Sequence, residues 1–203
     1  MAGSNLLHHS LREQIVNHLR NQILAGQFKE GEPLREEIFS KQFEISRGPI
    51  REAFLQLTQE GLLIAVPNRG VRVRAKVKGA VRKHMVRLRR DLEQFALGQL
   101  FKDITKQDIE VWESYNNKLK EACDSANISE VVENDLAFHR SIVGKVGNED
   151  LLSVWMPLIN HLSLPYERHR NLIESYHEHK AIVDAIKEGN KAEALSLLKN
   201  NIQ

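Results

Sequence analysis

The hydrophobic pattern of the chain changes from helical to strand-like after Gly61, and this change restricts the possible folds. Before Gly61, apolar residues recur at three- and four-residue spacing, which predicts amphipathic helices, as in Leu11, Ile15, Leu19 and Ile23. After it, an apolar run over residues 62–66, a Pro-Asn-Arg-Gly turn and alternating residues 71–74 predict a β-hairpin. Helices followed by a hairpin form the element order of a winged helix-turn-helix.

Three helices are predicted before the hairpin. The first contains the spaced apolar residues, and Gly31 and Pro33 mark a turn after it. A short second helix is expected over residues 35–43. Ser46 is in position to cap the third helix, because its hydroxyl can accept from the free N–H groups of the first turn.

Everything after a linker near residues 76–79 is predicted to be helical. A long helix is indicated by 3-4 spacing of Val81, Met85, Leu88, Leu92, Phe95 and Gln99. Further helices are expected over residues 105–125, 129–146, 149–174, 176–188 and 190–202. The predicted fold is therefore mainly α, with a winged helix-turn-helix domain at 8–76 and an all-helical bundle at 80–203.

Charge is divided unevenly between the two predicted domains. Of the 29 basic and 27 acidic residues, 12 and 8 lie in residues 1–79, and 17 and 19 lie in 80–203. The first part thus carries +4 and the second −2, which favours a polyanionic partner for the first. A single cysteine fits a reducing cytoplasm. We expect neither a signal peptide nor a membrane span, which needs about 20 consecutive apolar residues.

The third helix carries arginines where such a fold reads DNA. Arg47 and Arg51 are four residues apart and therefore share one helical face. Arginine can bind guanine O6 and N7 bidentately or hold a phosphate, and a recognition helix reads bases with its N-terminal part. No acidic residue occurs from 65 to 78, where the hairpin adds Arg69, Arg72, Arg74, Lys76 and Lys78. An ordinary solvated basic surface is the alternative interpretation.

The first third of the chain resembles the DNA-binding domain of the GntR family over about residues 8–75. The resemblance lies in residues 24–37, Ser46-Arg47-Gly48-Pro49-Ile50-Arg51-Glu52-Ala53, Glu60-Gly61-Leu62 and Asn68-Arg69-Gly70. It implies that Arg47 and Arg51 contact operator DNA, that Ser46 contacts a phosphate and that the wing tip near Gly70 enters a groove. The predicted DNA-contacting set is completed by Gly48, Arg35, Arg69 and Arg72. Where several members have a further DNA-contacting arginine, this chain has Glu37.

Two polar residues lie on a predicted inward face of the helical domain. Asp135 and His139 are four residues apart, in the stripe continued by Ile142. Burying an ionised carboxylate is costly unless it is paired or coordinated. His179 is similarly aligned with Ile182 on a later helix. The spacing allows two interpretations, an Asp–His hydrogen bond with a core histidine or part of a divalent metal site.

The remainder of the chain, about residues 80–203, resembles the FadR-type C-terminal effector domain, FCD. The resemblance lies in residues 89–93, 135–139, 147–151 and 178–190. It implies a bundle with a ligand cavity, a homodimer and often a divalent metal held by one aspartate and three histidines. Asp135, His139 and His179 match three ligands, and Asn201 stands at the fourth position, two residues before the printed sequence ends.

The same resemblance suggests what this domain binds. Imidazole ligands favour zinc or nickel over magnesium, and the asparagine predicts a weaker, open or empty site. The expected effector is a small organic acid, with Arg89 as a second clamp for its carboxylate. A surface ion pair between Arg89 and Glu93, four residues apart, is the alternative.

Together these features predict a cytoplasmic, metabolite-responsive repressor that binds double-stranded operator DNA as a homodimer and is not an enzyme. One alternative is an architectural DNA-binding protein whose helical domain only dimerises. A metal-dependent hydrolase is the other, but it lacks a general base placed beside the three metal-site residues. It also leaves the basic first third without a purpose.

Overall fold

The computed structural model describes residues 11–162 and 171–203. Its N-terminal part contains α1 (Leu11–Leu24), β1 (Pro33–Leu34), α2 (Glu36–Gln42), α3 (Arg47–Gln59), β2 (Leu63–Val66) and β3 (Gly70–Val73). Its C-terminal part contains α4 (Gly79–Leu100), α5 (Lys106–Asp124), α6 (Ile128–Lys145), α7 (Glu149–Leu162), α8 (Ile173–Lys187) and α9 (Lys191–Asn201). The prediction of a mainly α chain with an N-terminal winged helix-turn-helix and a C-terminal helical bundle is confirmed.

The wing is a three-stranded antiparallel sheet in the order β1-β3-β2. The predicted hairpin is present, with Leu63 opposite Val73. The sequence predicted only a turn around Pro33, but Pro33 and Leu34 pair with β3 as an edge strand. A proline is tolerated at the start of an edge strand because its missing N–H is not needed there. Two residues are too few to show the alternation by which strands are predicted.

Helices α1 and α3 and the sheet pack together around one apolar core in the winged domain. Leu19, Ile50, Leu57 and Leu63 are fully buried in it. Ser46 is the N-cap residue of α3 and has extended backbone, but its side chain makes no capping hydrogen bond. The prediction that the Ser46 hydroxyl caps this helix is therefore wrong. The side chain instead lies exposed at the helix N-terminus.

The helical domain differs from the prediction in the second half of the bundle. The described part of α7 reaches Leu162, and α8 begins at Ile173, so the predicted start at 176 is too late. The predicted helix over 149–174 ran through residues 163–170, which lie outside the described residues. Trp112, Phe138 and Trp155 are the largest side chains of the buried core.

Helix α4 presents both apolar and charged residues to the core. The buried residues are Val86, Arg89, Glu93, Ala96, Leu97 and Leu100. Val81, Leu88 and Phe95 are 62%, 47% and 54% exposed. The helix predicted from the 3-4 spacing is present. Val81, Leu88 and Phe95 face away from the core, whereas Met85 and Leu92 of the same series pack against it. We call residues 81, 85, 88, 92, 95 and 99 the α4 stripe.

The two domains are in direct contact through α6 and α7. Val132 of α6 belongs to the same apolar cluster as the buried residues of α1, and Asn21 donates to Glu133 at 2.8 Å. The Asn160 amide of α7 donates to the carbonyl of Glu60 at 3.1 Å. The bundle therefore touches both α1 and the C-terminal end of α3.

Glycine is required where α7 meets the turn after α3. Gly61 has a φ of +82°, and a Cβ atom there would lie 2.4 Å from Cε1 of His161. Glycine tolerates the left-handed backbone and leaves room for the imidazole. The backbone after the recognition helix thus packs directly against the bundle.

Candidate DNA interface and metal centre

A groove between α2, α3 and the wing gathers most of the predicted DNA-contacting residues. It has a volume of about 430 Å³ and is lined among others by Arg35, Arg47, Arg51, Arg69 and Gly70. Ser46 and Gly48 lie exposed at the start of α3. The side chains of Arg47 and Arg51 are 59% and 71% exposed. The N-terminal half of α3 and the wing tip therefore form one accessible basic surface.

The two arginines of α3 are paired with acids of α2. Arg51 binds Glu36 through two hydrogen bonds of 2.9 Å, and Arg47 lies 3.6 Å from Glu37. The hydrogen bond from Arg51 lowers the pKa of Glu36, and the same contact raises the pKa of Arg51. Exposed pairs of this kind contribute little to stability, so DNA phosphates or bases can replace the acids.

The wing arginines divide into two groups that the sequence could not separate. Arg72 donates to the carbonyl of Gly31 at 3.0 Å, and Arg74 donates to the carbonyl of Gly61 at 2.6 Å. These two side chains hold the sheet to neighbouring backbone. Arg69 at the turn is exposed and lines the groove. The wing tip, rather than the whole strand, carries the accessible charge.

Asp135, His139 and His179 converge in the interior of the bundle. All three are buried, and one possible ligand atom from each lies within 4.8 Å of the others. Nε2 of His179 is 3.3 Å from Oδ1 of Asp135. The helical spacing and the FCD resemblance pointed to the same three residues, and α6 and α8 bring them together.

Hydrogen bonds fix which nitrogen of each imidazole can bind a cation. Nδ1 of His139 lies 2.6 Å from a carboxylate oxygen of Glu93, and Nδ1 of His179 lies 2.7 Å from the carbonyl of Ser175. A carboxylate and a carbonyl only accept, so each Nδ1 carries a proton, and in a neutral imidazole Nε2 is then the nitrogen with the lone pair. Among the described residues, Nε2 of His139 is buried without a hydrogen-bond partner. These residues fit a divalent metal that binds two neutral imidazoles and a carboxylate.

Glu93 is the part of the site that sequence reasoning missed. Its fully buried carboxylate accepts from Nε of Arg89 at 2.7 Å and from Nε1 of Trp155 at 2.7 Å, besides contacting His139. Burial raises the pKa of Glu93, but Arg89 and His139 outweigh this effect and hold that pKa well below its usual value. A signal was present in the i, i+4 spacing of Arg89 and Glu93, which was considered as an ion pair but only at the surface.

The two remaining predicted residues of the helical domain are both buried. Arg89 forms the ion pair with Glu93 that was considered as an alternative, but inside the bundle rather than at its surface. Its Nη2 nitrogen is buried and has no hydrogen-bond partner within the described residues. Asn201 ends α9, and its amide donates to Glu178 at 2.9 Å. The roles of Arg89 as an effector clamp and of Asn201 as a fourth ligand stay predictions.

The fold and these sites define a two-domain transcription regulator with a DNA-reading head and an effector-type bundle. The profile of the FCD domain matches residues 84–203, and that of the bacterial regulatory proteins of the gntR family matches residues 11–73. The chain therefore belongs to the GntR family, in the group that carries an FCD domain. As predicted, it is a regulator and not an enzyme. Within the described residues, no helix combines the length and apolar character needed to cross a membrane.

Curated relatives agree with this assignment. The chain is 26% identical over 190 residues to the HTH-type transcriptional regulator YdhC of Bacillus subtilis, covering 89% of this chain and 83% of that protein. It is 26% identical over 213 residues to McbR of Escherichia coli, covering 100% and 96%. A 27% identical relative from Paenarthrobacter nicotinovorans, covering 89% and 80%, is named a probable D-xylose utilization operon transcriptional repressor.

Solved structures show the same fold. E. coli McbR/YncC superposes with a TM-score of 0.80 at 23% identity, covering 96% of this chain and 94% of that one. A GntR-type regulator from Rhodococcus superposes with a TM-score of 0.75 at 22% identity and the same coverage. At these identities the likeness concerns the fold alone.

Replacing Glu93 by glutamine should destabilise the protein strongly, because the buried charge of Arg89 would lose its counter-charge. We expect a loss of about 3–5 kcal/mol in the free energy of unfolding, measured by urea denaturation. The matched control is Glu113→Gln, which breaks an exposed pair with Lys187 and should cost less than about 1 kcal/mol. Equal small losses in both variants would contradict the role of Glu93. Adding Arg89→Met to Glu93→Gln should recover part of the loss.

Proposed function

We propose that this regulator is a repressor that binds operator DNA with α3 and the wing tip and responds to a small organic acid held in the bundle beside a divalent metal. The proposal of a metal-linked effector is based on the orientation of His139 and His179. Both imidazoles present Nε2 towards a region they share with the Asp135 carboxylate. A divalent cation there would act as a Lewis acid that binds the effector carboxylate.

The protein's own groups are suited to this ligand. Glu93 holds His139 in the tautomer that a metal needs and balances the charge of Arg89. Nη2 of Arg89 is a buried donor, and a carboxylate could accept from it in a charge-assisted hydrogen bond. Two imidazoles favour zinc or nickel. With asparagine rather than histidine at 201, water or effector would occupy the open position.

An architectural protein with a purely structural bundle is less compatible with this interior. Replacing buried charged groups by well-packed apolar residues is often neutral or stabilising. A bundle that served only as a structural support would therefore not need such groups. The bundle buries Asp135, His139, His179, Arg89 and Glu93 together. Binding of an effector to one arrangement of the domains would shift a population, since ligand and DNA affinities are reciprocally coupled.

The α4 stripe supports the proposal of a homodimer. We place this homodimer in the cytoplasm, because operator DNA is found there. Its spacing alternates between four and three residues, as in the seam of paired helices. Val81, Leu88 and Phe95 are more exposed than large apolar residues usually are. A second copy of α4 would cover them. A two-fold dimer also matches the two half-sites of a palindromic operator.

Removing either arginine of α3 should weaken operator binding without unfolding the domain, because both side chains are exposed. For Arg51→Ala and Arg47→Ala, removing a base contact should cost about 1–3 kcal/mol in the free energy of operator binding. Removing a phosphate contact should instead reduce the slope of log K against log salt concentration by about one. Fluorescence anisotropy with operator DNA at several salt concentrations measures both. The control Lys118→Ala removes one exposed positive charge from the helical domain and should have little effect. Unchanged binding in both arginine variants would contradict the assignment of α3.

A charge placed in the α4 stripe should separate the protomers. For Phe95→Glu we expect the wild-type dimer to become a folded monomer in light scattering at micromolar concentration, because the glutamate would be desolvated in the interface. Val111→Glu is the control, since it charges an exposed apolar residue on α5. A monomeric wild type, or a Phe95→Glu dimer as tight as the wild type, would contradict this interface.

Loss of a histidine ligand should remove the metal. Protein purified without chelator or nickel resin should contain a divalent ion by elemental analysis, and His139→Ala should contain none. His177→Ala is the matched control, because this histidine lies exposed on the same helix as His179. Asn201→His should tighten binding by adding an imidazole at the fourth position. Negligible metal in wild type and His139→Ala, with no stabilisation by zinc, nickel or manganese, would refute the site.

A further inference from the structure

A cleft lies between the two domains, on the side of α6 opposite the metal-site residues. It has a volume of about 490 Å³ and is lined by residues of α1, α5, α6 and α7. On α6 the lining residues include Glu133, Leu136 and Arg140, whereas Asp135 and His139 face the bundle interior. Since a turn has 3.6 residues, these two sets occupy different faces of one helix. The cleft is therefore a separate site.

The walls of the cleft are suited to an amphipathic molecule. Leu136, Leu152, Met156 and Ile159 supply an apolar surface, and Trp155 lies among them. Polar side chains of α1 and α6 border it. Small-molecule sites commonly combine apolar walls with a few placed polar groups, in cavities of about 300–1,000 Å³.

One polar group in this cleft is buried and incompletely satisfied. Asn160 is 1% exposed and donates its amide N–H to the carbonyl of Glu60. Its Oδ1 atom is buried and has no hydrogen-bond partner within the described residues, although Asn160 lines the cleft. Leaving a buried acceptor unpaired is destabilising. A ligand with a hydrogen-bond donor would remove that cost.

Among the described residues that line the cleft, Arg140 is a cation without an ion-pair partner. Arg20 is occupied by Glu60 at 2.7 Å, and Glu133 accepts from Asn21 at 2.8 Å. Arg140 is exposed and forms no ion pair with any residue of the described ranges 11–162 and 171–203. Glu133 and Arg140 are seven residues apart, which is about 10 Å along the helix. The anionic end of a ligand is therefore expected near Arg140.

We propose that the interdomain cleft binds a small organic anion with an apolar body and a hydrogen-bond donor, its anionic group on Arg140 and its donor at Oδ1 of Asn160. Such a ligand touches α1 of the DNA-binding domain together with α6 and α7 of the bundle. It stabilises the docked arrangement of the two domains, because it binds that arrangement and not a separated one. The regulator thus has a second ligand input besides the metal-linked effector.

Three related probes test the chemistry of this site on the full chain by isothermal titration calorimetry. 4-Hydroxyphenylacetate carries the anion, the apolar ring and a donor, its neutral amide lacks the charge, and phenylacetate lacks the donor. We expect the acid to bind and the amide to bind at least about tenfold more weakly, the loss expected for one charge-assisted hydrogen bond. Phenylacetate should bind severalfold more weakly than the hydroxylated acid. Absence of saturable binding at millimolar concentrations, or equal affinity for acid and amide, would overturn the proposal.

Variants locate the bound probe and separate it from the metal-linked effector. Arg140→Gln should weaken binding of 4-hydroxyphenylacetate about tenfold, and Arg140→Lys should retain most of it. The matched control Arg87→Gln, an exposed arginine on α4, should bind like wild type. His139→Ala should also keep this binding, even where metal is lost. Binding that survives Arg140→Gln but disappears in His139→Ala would place the anion at the metal cluster and refute a cleft site.

Discussion

The buried carboxylate of Glu93 is the interaction on which the organisation of the bundle depends. It accepts hydrogen bonds from Arg89 of α4, His139 of α6 and Trp155 of α7, so one residue joins three helices. A charge without water must be compensated by such partners. The consequence for α4 is that its inner face is partly ionic. Val81, Leu88 and Phe95 of the α4 stripe lie at the surface, where the proposed second copy would cover them, whereas Met85 and Leu92 pack against the core.

Helix α6 extends this constraint to the DNA-binding domain. One face carries Asp135 and His139, and another packs Val132 against α1 and lines the interdomain cleft. A rigid helix cannot shift at one face without shifting at the other. The metal-site residues, the cleft and the base of the winged domain are thus linked through a single element. Contact between α7 and the backbone after α3, at Glu60 and Gly61, provides a second connection.

Sequence periodicity and family resemblance predicted the element order and the convergence of Asp135, His139 and His179, because each depends on spacing along one helix or on a matching motif. The 3-4 spacing predicted a helix at α4, but spacing alone does not show which partner covers each residue. Glu93 was missed because charged residues are rarely fully buried unless paired. The role of Asn160 could not be predicted from the sequence, because it depends on a contact with Glu60, which lies 100 positions away in the chain.

Glu36 and Glu37 of α2 affect how strongly the winged domain can bind DNA of any sequence. Arg35, Arg47, Arg51 and Arg69 line the same groove as Glu36 and Glu37. Each glutamate offsets part of the attraction to phosphates, and that attraction supplies nearly all sequence-independent affinity. Phosphate contacts fix the position of a protein on DNA, whereas base contacts distinguish one sequence from another. In the proposed operator complex, Arg51 would exchange its two bonds to Glu36 for new partners, and a guanine edge can be bound in a similar bidentate way. In that proposed complex, the paired acids would lower binding to arbitrary DNA more than binding to a site that engages both arginines.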